Sequence, residues 1–227
     1  MPGCLRFIQR ILRPPRGTTT IETLYKEGLD SICVNLEVWH PAYFHAVCPG
    51  KDTVPGRDKW LQALKWAVEI FNKGRVGSVF VAGIEPMEYT LEGMEYCCSI
   101  GVWPACTVWS PAVGSKFAGH RPPNIDWYRE LNEKYVDLLF KYGFASPEIL
   151  DDEAMVANCF VCRRCNVNFV YQDEIMRRKL LDDPNWRGWR ESQPLNTLST
   201  KGERIAFSEA GGATALSDIP LEADRRA

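Results

Sequence analysis

Residues 31–39, SICVNLEVW, decide the fold. Apolar side chains are dense there and do not alternate cleanly with polar ones, so the run reads as a strand buried on both faces. Two more runs of strand length follow, GSVFVAGI at 77–84 and VWPACTVW at 102–109. The segments between them carry the helical period. Arg57 to Asn72 has apolar residues at 60, 61, 64, 68 and 71, and Met87 to Ile100 has 87, 91, 94 and 98 on one face. Asn124 caps a further helix with Tyr128, Leu131, Tyr135 and Leu138 on its apolar side. Ahead of the first strand, Thr19 and Glu22 fit a capping box opening a short helix, with Ile21, Leu24 and Tyr25 on one side, and Gly28 closes it. The stretch 40–56, HPAYFHAVCPGKDTVPG, reads as a loop. Helices therefore alternate with unpatterned apolar strands, which predicts an α/β fold with a parallel sheet.

Each strand ends in polar or turn residues: Asn35 and Glu37, then Glu85-Pro86, then Ser110-Pro111. Parallel α/β folds bind ligands at the carboxyl ends of their strands. Asn35 and Glu37 are two residues apart, so a regular strand would present them on one face. A carboxylate inside such a site is costly without a partner, so Glu37 is expected to have one. The plainer reading is that Glu37 sits at an exposed strand end.

Composition bounds the rest. The chain has 227 residues, 45% hydrophobic and 25% charged, with 27 Lys plus Arg against 29 Asp plus Glu. Eight Trp, eight Tyr and ten Phe can build a substantial core, which excludes a wholly disordered chain. The formal charge of −2 argues against a globally basic nucleic-acid binder. The longest apolar stretch, Val76 to Ile84, contains two glycines and is too short to span a bilayer. Residues 1–18 form a basic arm with Arg6, Arg10, Arg13 and Arg16, read as a frayed terminus or an organelle-targeting or surface-binding arm. They lack the apolar core of a signal peptide, so a cytoplasmic, reducing setting is expected. Residues 19–146 are the α/β layer, 147–192 a cysteine-rich segment, and 193–227, rich in Ser, Thr, Gly, Ala and charge, a disordered tail.

Cys159-Phe-Val-Cys162-Arg-Arg-Cys165 is the strongest local motif. Thiolates at this spacing reach one soft metal from a tight turn, and Arg163 and Arg164 favour the thiolate forms. Three such ligands suit an iron–sulfur cluster with an open iron, or zinc with a fourth ligand drawn from Cys4, Cys48, Cys106 or Asp173. The plain reading is three unligated thiols in a polar loop. Cys98 falls on an apolar helix face and Cys33 in a strand, which marks both as packing residues, whereas Cys48 lies in a loop at the site end. The histidines, 40, 45 and 120, lie in expected loops and pair with no nucleophile at a diagnostic spacing.

The run GLDSICVNLEVWHPAYFHAVCPGK, the GRDKWLQAL helix, VFVAGIEP and WSPAVGS together resemble the second half of a radical S-adenosylmethionine barrel of the biotin-synthase-like group, over roughly residues 17 to 145. The resemblance implies a partial, TIM-like (β/α) barrel that binds S-adenosylmethionine across its strand ends. It also implies a [4Fe–4S] cluster that cleaves this cofactor to a 5′-deoxyadenosyl radical, which abstracts hydrogen from a substrate. Asn35 and Glu37 resemble the polar pair of the fourth strand, facing the ribose and methionine parts of the cofactor or the substrate. Arg57 resembles a basic residue that pairs with the methionine carboxylate. Gly83, Ile84 and Glu85 resemble the fifth-strand motif lying against the adenine. Ser110 to Ser115, including Pro111, resemble the segment that packs on the adenosine.

One departure matters. The Cys-x3-Cys-x2-Cys loop of that family has no counterpart here, and Cys159, Cys162 and Cys165 are spaced differently and follow the barrel region. They read as an accessory iron–sulfur or zinc site, and the first three strands are also unmatched. A complete barrel takes roughly 200 residues or more. The expectation is therefore the C-terminal part of such an enzyme, inactive alone, with an open edge at Ser31–Trp39 that needs a missing half or a partner subunit. The alternative is a non-catalytic zinc or iron–sulfur module acting through protein interaction. A single-strand nucleic-acid contact through Arg177, Arg178, Lys179, Trp186, Arg187, Trp189 and Arg190 is a weaker reading, diluted by Asp182 and Asp183. The substrate is not named by the sequence.

Overall fold

A computed structural model describes residues 9–146, together with Ile149, Ile175 and Arg178. The chain divides into two units, Met1–Trp186 and Arg187–Ala227, and every described residue lies in the first. Cys159, Cys162 and Cys165, most of segment 147–192 and all of 193–227 lie outside the described residues.

The elements run β1 (Gln9–Ile11), α1 (Thr19–Lys26), β2 (Ser31–Cys33), α2 (Pro41–Val47), α3 (Pro49–Thr53), α4 (Arg57–Phe71), β3 (Val76–Ala82), α5 (Met87–Ser99), β4 (Trp103–Val108) and α6 (Ile125–Lys141). The four strands form one sheet in the order β1-β2-β3-β4, and every pairing is parallel. An open sheet of parallel strands in chain order is the arrangement of a partial (β/α) barrel. Helix α4 packs on β2 and β3, and α5 on β3 and β4; α1 sits beside α4 and α6 beside α5.

The core follows the predicted periods. Helix α4 buries Trp60, Ala63, Leu64, Ala67 and Phe71, and α5 buries Met87, Met94, Cys97 and Cys98. Ile32, Val76, Phe80 and Trp103 fill the sheet side. Cys33 and Cys98 are packing thiols, as their positions suggested, and burial raises the Cys98 pKa to about 12. Gly93 of α5 is needed for close packing. A Cβ there would lie 2.7 Å from both Phe80 Cε1 and Trp39 Cβ. On α6 the buried set is Leu131, Asn132, Tyr135, Val136 and Leu139, one step around from the expected stripe, with Tyr128 and Leu138 half-buried at its flank.

Four expectations change. The Thr19–Glu22 capping box does not form, because Thr18 is the N-cap and makes no side-chain cap bond. Thr19 is already helical, and its carbonyl accepts from Thr23 Oγ1. The stretch 40–56 is largely helical, as α2 and α3, each with a proline in its first turn. The basic arm supplies β1, which pairs with β2 from Gln9↔Ser31 to Ile11↔Cys33, so the edge expected to be bare is covered there. Finally, the strand expected over Ser31–Trp39 stops at Cys33. Beyond it, side chains replace the ladder: Val79 N–H donates to Asn35 Oδ1 at 3.3 Å, and Leu36 N–H to the buried Ser78 Oγ at 3.0 Å. Pairing resumes as a single bridge, Glu37↔Phe80.

Candidate functional site

The parallel order brings the carboxyl ends of β2, β3 and β4 to one edge of the sheet. Three groups of residues stand there.

The first surrounds Glu37. Its φ of 72° is a left-handed conformation unusual for a residue with a side chain, and it follows from the broken ladder just before it. The backbone is held on both sides, by Glu37 N–H to Val79 O and Val81 N–H to Glu37 O. The carboxylate meets Lys51 of α3, whose Nζ lies 2.7 Å from Glu37 Oε1 and 2.8 Å from Asn35 O. Lys51 Nζ also sits 4.4 Å from the centre of the Trp60 ring. About a quarter of each side chain of this ion pair remains exposed. Glu37 thus has the partner its position called for, and that partner is part of the chain. Asn35 and Glu37 do not share a face: the amide turns to Val79 and the carboxylate to Lys51. Cys48 stands by this pair, and its thiol is pushed up by burial, against Lys51, which pulls it down, and with Glu37 adding a smaller upward push.

The second group clamps Trp39 and His40. Glu85 is 3% exposed, and its two oxygens accept from Trp39 N–H at 2.8 Å and His40 N–H at 3.0 Å, with Thr90 Oγ1 at 3.4 Å. Burial raises the Glu85 pKa, and the two backbone donors, Thr90 and His40 oppose that rise. From the other side, Arg57 Nε and Nη2 donate to Trp39 O at 3.1 and 2.9 Å, and the guanidinium lies 4.5 Å from the Trp39 ring centre. The Trp39 ring packs against Tyr96, and His40 stacks on Tyr89 at 4.3 Å. Glu85 and Arg57 therefore hold the peptide groups of one turn, and Glu85 makes its bonds inside the protein.

The third group closes over β3. A Cβ on Gly83, at φ 96°, would meet Tyr128 Oη at 2.4 Å and Pro123 Cδ at 2.8 Å, so that face of the glycine is filled by protein. The Gly83 carbonyl takes a 2.6 Å bond from His120 Nε2, beside Trp109 and Phe117. Ser110, Pro111 and Ser115 lie on an exposed loop after β4.

Of the residues singled out in the sequence, Glu37 presents a partly exposed carboxylate paired with Lys51, Ser110, Pro111 and Ser115 are open to solvent, and Asn35, Arg57, Gly83 and Glu85 are engaged within the chain. Lys51 and His120 were missed as site residues. Lys51 lay in a stretch read as loop, and His120 is 37 positions from the carbonyl that it meets. Of the charged groups here, Glu37 and Lys51 keep about a quarter of their side chains exposed as an ion pair, and Arg57 is half-buried on the Trp39 carbonyl. Among the described residues no site fits an iron–sulfur cluster. Among the described residues no three His, Cys, Asp or Glu side chains are grouped to hold a metal, and Cys33, Cys97, Cys98 and Cys106 are buried thiols. Arg178, one of the cations considered for nucleic acid, donates to Asp137 Oδ1 and lies over Phe140. Among the described residues no helix is long and apolar enough to cross a membrane.

The chain is 42% identical over 132 residues to the bacteriochlorophyllide c C-7(1)-hydroxylase of Chlorobaculum limnaeum. That stretch is 58% of this chain and 33% of the hydroxylase, so the chain spans about a third of the length of the curated relative it matches. No family model and no solved structure matches.

Proposed function

We propose that this chain is the strand-end part of a radical S-adenosylmethionine enzyme acting on a chlorin macrocycle. One observation carries the reading: the sequential parallel sheet delivers Glu37, Lys51, Arg57 and the 110–115 loop to a single edge. The identity to a bacteriochlorophyllide hydroxylase supports it and suggests the class of substrate. Bound S-adenosylmethionine would supply the group from which the radical is generated; the chain's own part is to bind and orient it. Glu37 offers an acceptor for a ribose hydroxyl, and Arg57 and Lys51 offer cations for a carboxylate. Glu85 contributes indirectly, by fixing the turn that carries Trp39 and His40. The described residues give no ligands for the cleaving cluster, and its ligands are assigned to a further part of the enzyme or to a partner.

The second reading, a zinc or iron–sulfur module, rests on the spacing of Cys159, Cys162 and Cys165. Titration of the full chain with S-adenosylmethionine tests the first. The expected result is saturable binding that Glu37→Gln weakens by about 10-fold or more, the range for a lost hydrogen bond to a charged group. Absence of binding, or equal binding by the variant, overturns it. Anaerobic reconstitution with iron and sulfide should give no 5′-deoxyadenosine from the isolated chain; robust turnover refutes that part. Metal analysis returning zinc without iron favours the second reading.

A further inference from the structure

Residues 110–123 cross the carboxyl end of β3 as a strap without helix or strand. Its outer part is open: residues 111–116 are exposed, and Val113 is fully so. Its backbone bonds are local, from Ser115 N–H to Ala112 O, Ala118 N–H to Ser115 O and His120 N–H to Phe117 O. Among the described residues one hydrogen bond ties it to the end of β3, where His120 Nε2–H donates to the Gly83 carbonyl at 2.6 Å. A carbonyl accepts and does not donate, so Nε2 carries the proton. Phe117 and His120 stand edge-on to the Trp109 ring at 6.2 and 6.1 Å, and Pro123 covers Gly83.

The fold can release this contact, for two reasons. The strap has room to turn. Gly114, at φ 81°, and Gly119 have no atom beyond their chain neighbours within 4 Å of a Cβ position, so both are uncrowded pivots. The shut position also carries a cost. Among the described residues the Trp109 indole Nε1–H is buried and meets no acceptor, and a buried donor left unbonded is unfavourable. Lifting Phe117 and His120 from the ring returns that N–H, and the Gly83 carbonyl with it, to solvent.

Resting on the reading that S-adenosylmethionine binds at these strand ends, we propose that the strap is a latch, with His120 as its catch, that holds the carboxyl end of β3 shut until it is displaced. In the shut position protein atoms fill the space over Gly83, which a molecule lying along the strand ends has to enter. Such a molecule binds only the open fraction of the chain, and its apparent affinity is reduced by that fraction. The catch makes no bond to the ligand. It sets how much of the protein is competent to bind one.

Trypsin reports on the strap directly in the full 227-residue chain. Lys116 is exposed within it, and the Arg121–Pro122 bond resists trypsin, so the rate of cleavage after Lys116, followed by mass spectrometry, measures opening. His120→Ala should speed that cleavage about 5-fold and tighten S-adenosylmethionine binding by a similar factor, the range for one lost hydrogen bond between neutral groups. His120→Gln, whose amide nitrogen reaches the same carbonyl, should match the wild type in both, and His120→Asn, whose amide falls short of it, should match alanine. Unchanged cleavage after Lys116 in His120→Ala overturns the latch. Faster cleavage with weaker or unchanged S-adenosylmethionine binding overturns it too, because the contact is then a structural brace. Faster cleavage with no S-adenosylmethionine binding by any of these chains overturns the cofactor reading and leaves the latch standing.

Discussion

Glu37 and Glu85 stand at the carboxyl ends of neighbouring strands, and their surroundings differ at almost every point. Glu37 keeps about a quarter of its side chain in solvent and pairs with a lysine that is equally exposed. Glu85 is sealed in and holds two backbone N–H groups and a threonine hydroxyl. Their strands explain the split. The β2 ladder is broken by Asn35 and Ser78, which turns the chain outward at Glu37. The β3 strand runs to Ala82, and Glu85 follows directly before α5, under the turn it holds. Two acids on one sheet edge thus do separate work: one is partly exposed in an ion pair with Lys51, and the other holds the turn that carries Trp39 and His40.

Substitutions can break this contrast, beginning with the largest effect. Glu85→Ala leaves two buried amides unpaired and opens a small void, so it should cost roughly 2–4 kcal/mol. In a chain of this size that lowers Tm by roughly 5–15 °C in a thermal melt. A loss below about 1 kcal/mol would mean that water serves these amides as well. Arg57→Lys removes the planar pair of bonds to the Trp39 carbonyl and the stacking on its ring, and a loss of about 1–2 kcal/mol is expected by denaturant unfolding.

The pH dependence sharpens the comparison further. Burial raises the Glu85 pKa above 4.5, so the folded chain keeps that proton to a higher pH than the unfolded chain does. Its contribution is present at low pH and fades as pH rises from the ordinary carboxylate range through the raised value. The wild-type advantage over Glu85→Gln should therefore shrink as pH rises through that window. An advantage that grows would mean that the amide donors outweigh burial. The smallest effect belongs to the outward acid. A double-mutant cycle on Glu37 and Lys51 should give a coupling below about 1 kcal/mol, because both groups are screened by water. A coupling above about 2 kcal/mol would make the pair a structural brace comparable to Glu85.

Most of the layer was legible because its helices and its two longer strands carry full periods of apolar residues. Helix α4 and strand β3 fall within a residue or two of their expected limits. What escaped had a physical reason in each case. Helices α2 and α3 have seven and five residues, too few for a hydrophobic period, although Pro41 and Pro49 marked their first turns. Strand β1 is three residues long in an arginine-rich segment, so neither pattern nor composition announces it. The break after Cys33 depends on Ser78, 42 positions beyond the Leu36 amide that it accepts from. Polar residues were correctly expected at the strand ends. Which of them face inward was settled by partners distant in sequence, such as Arg57 and Glu85 on Trp39.

The unbroken order of the sheet has a consequence for how such a protein grows. When each strand lies beside its predecessor, a further strand–helix unit can be added at β1 or at β4 without rethreading any existing connection. The strand-end rim lengthens by one loop with each addition, and the bonds already made are untouched. A sheet in which later strands were inserted between earlier ones could not be extended in this way. The molecule is in this sense a modular series, with Glu37 and Glu85 as consecutive terms.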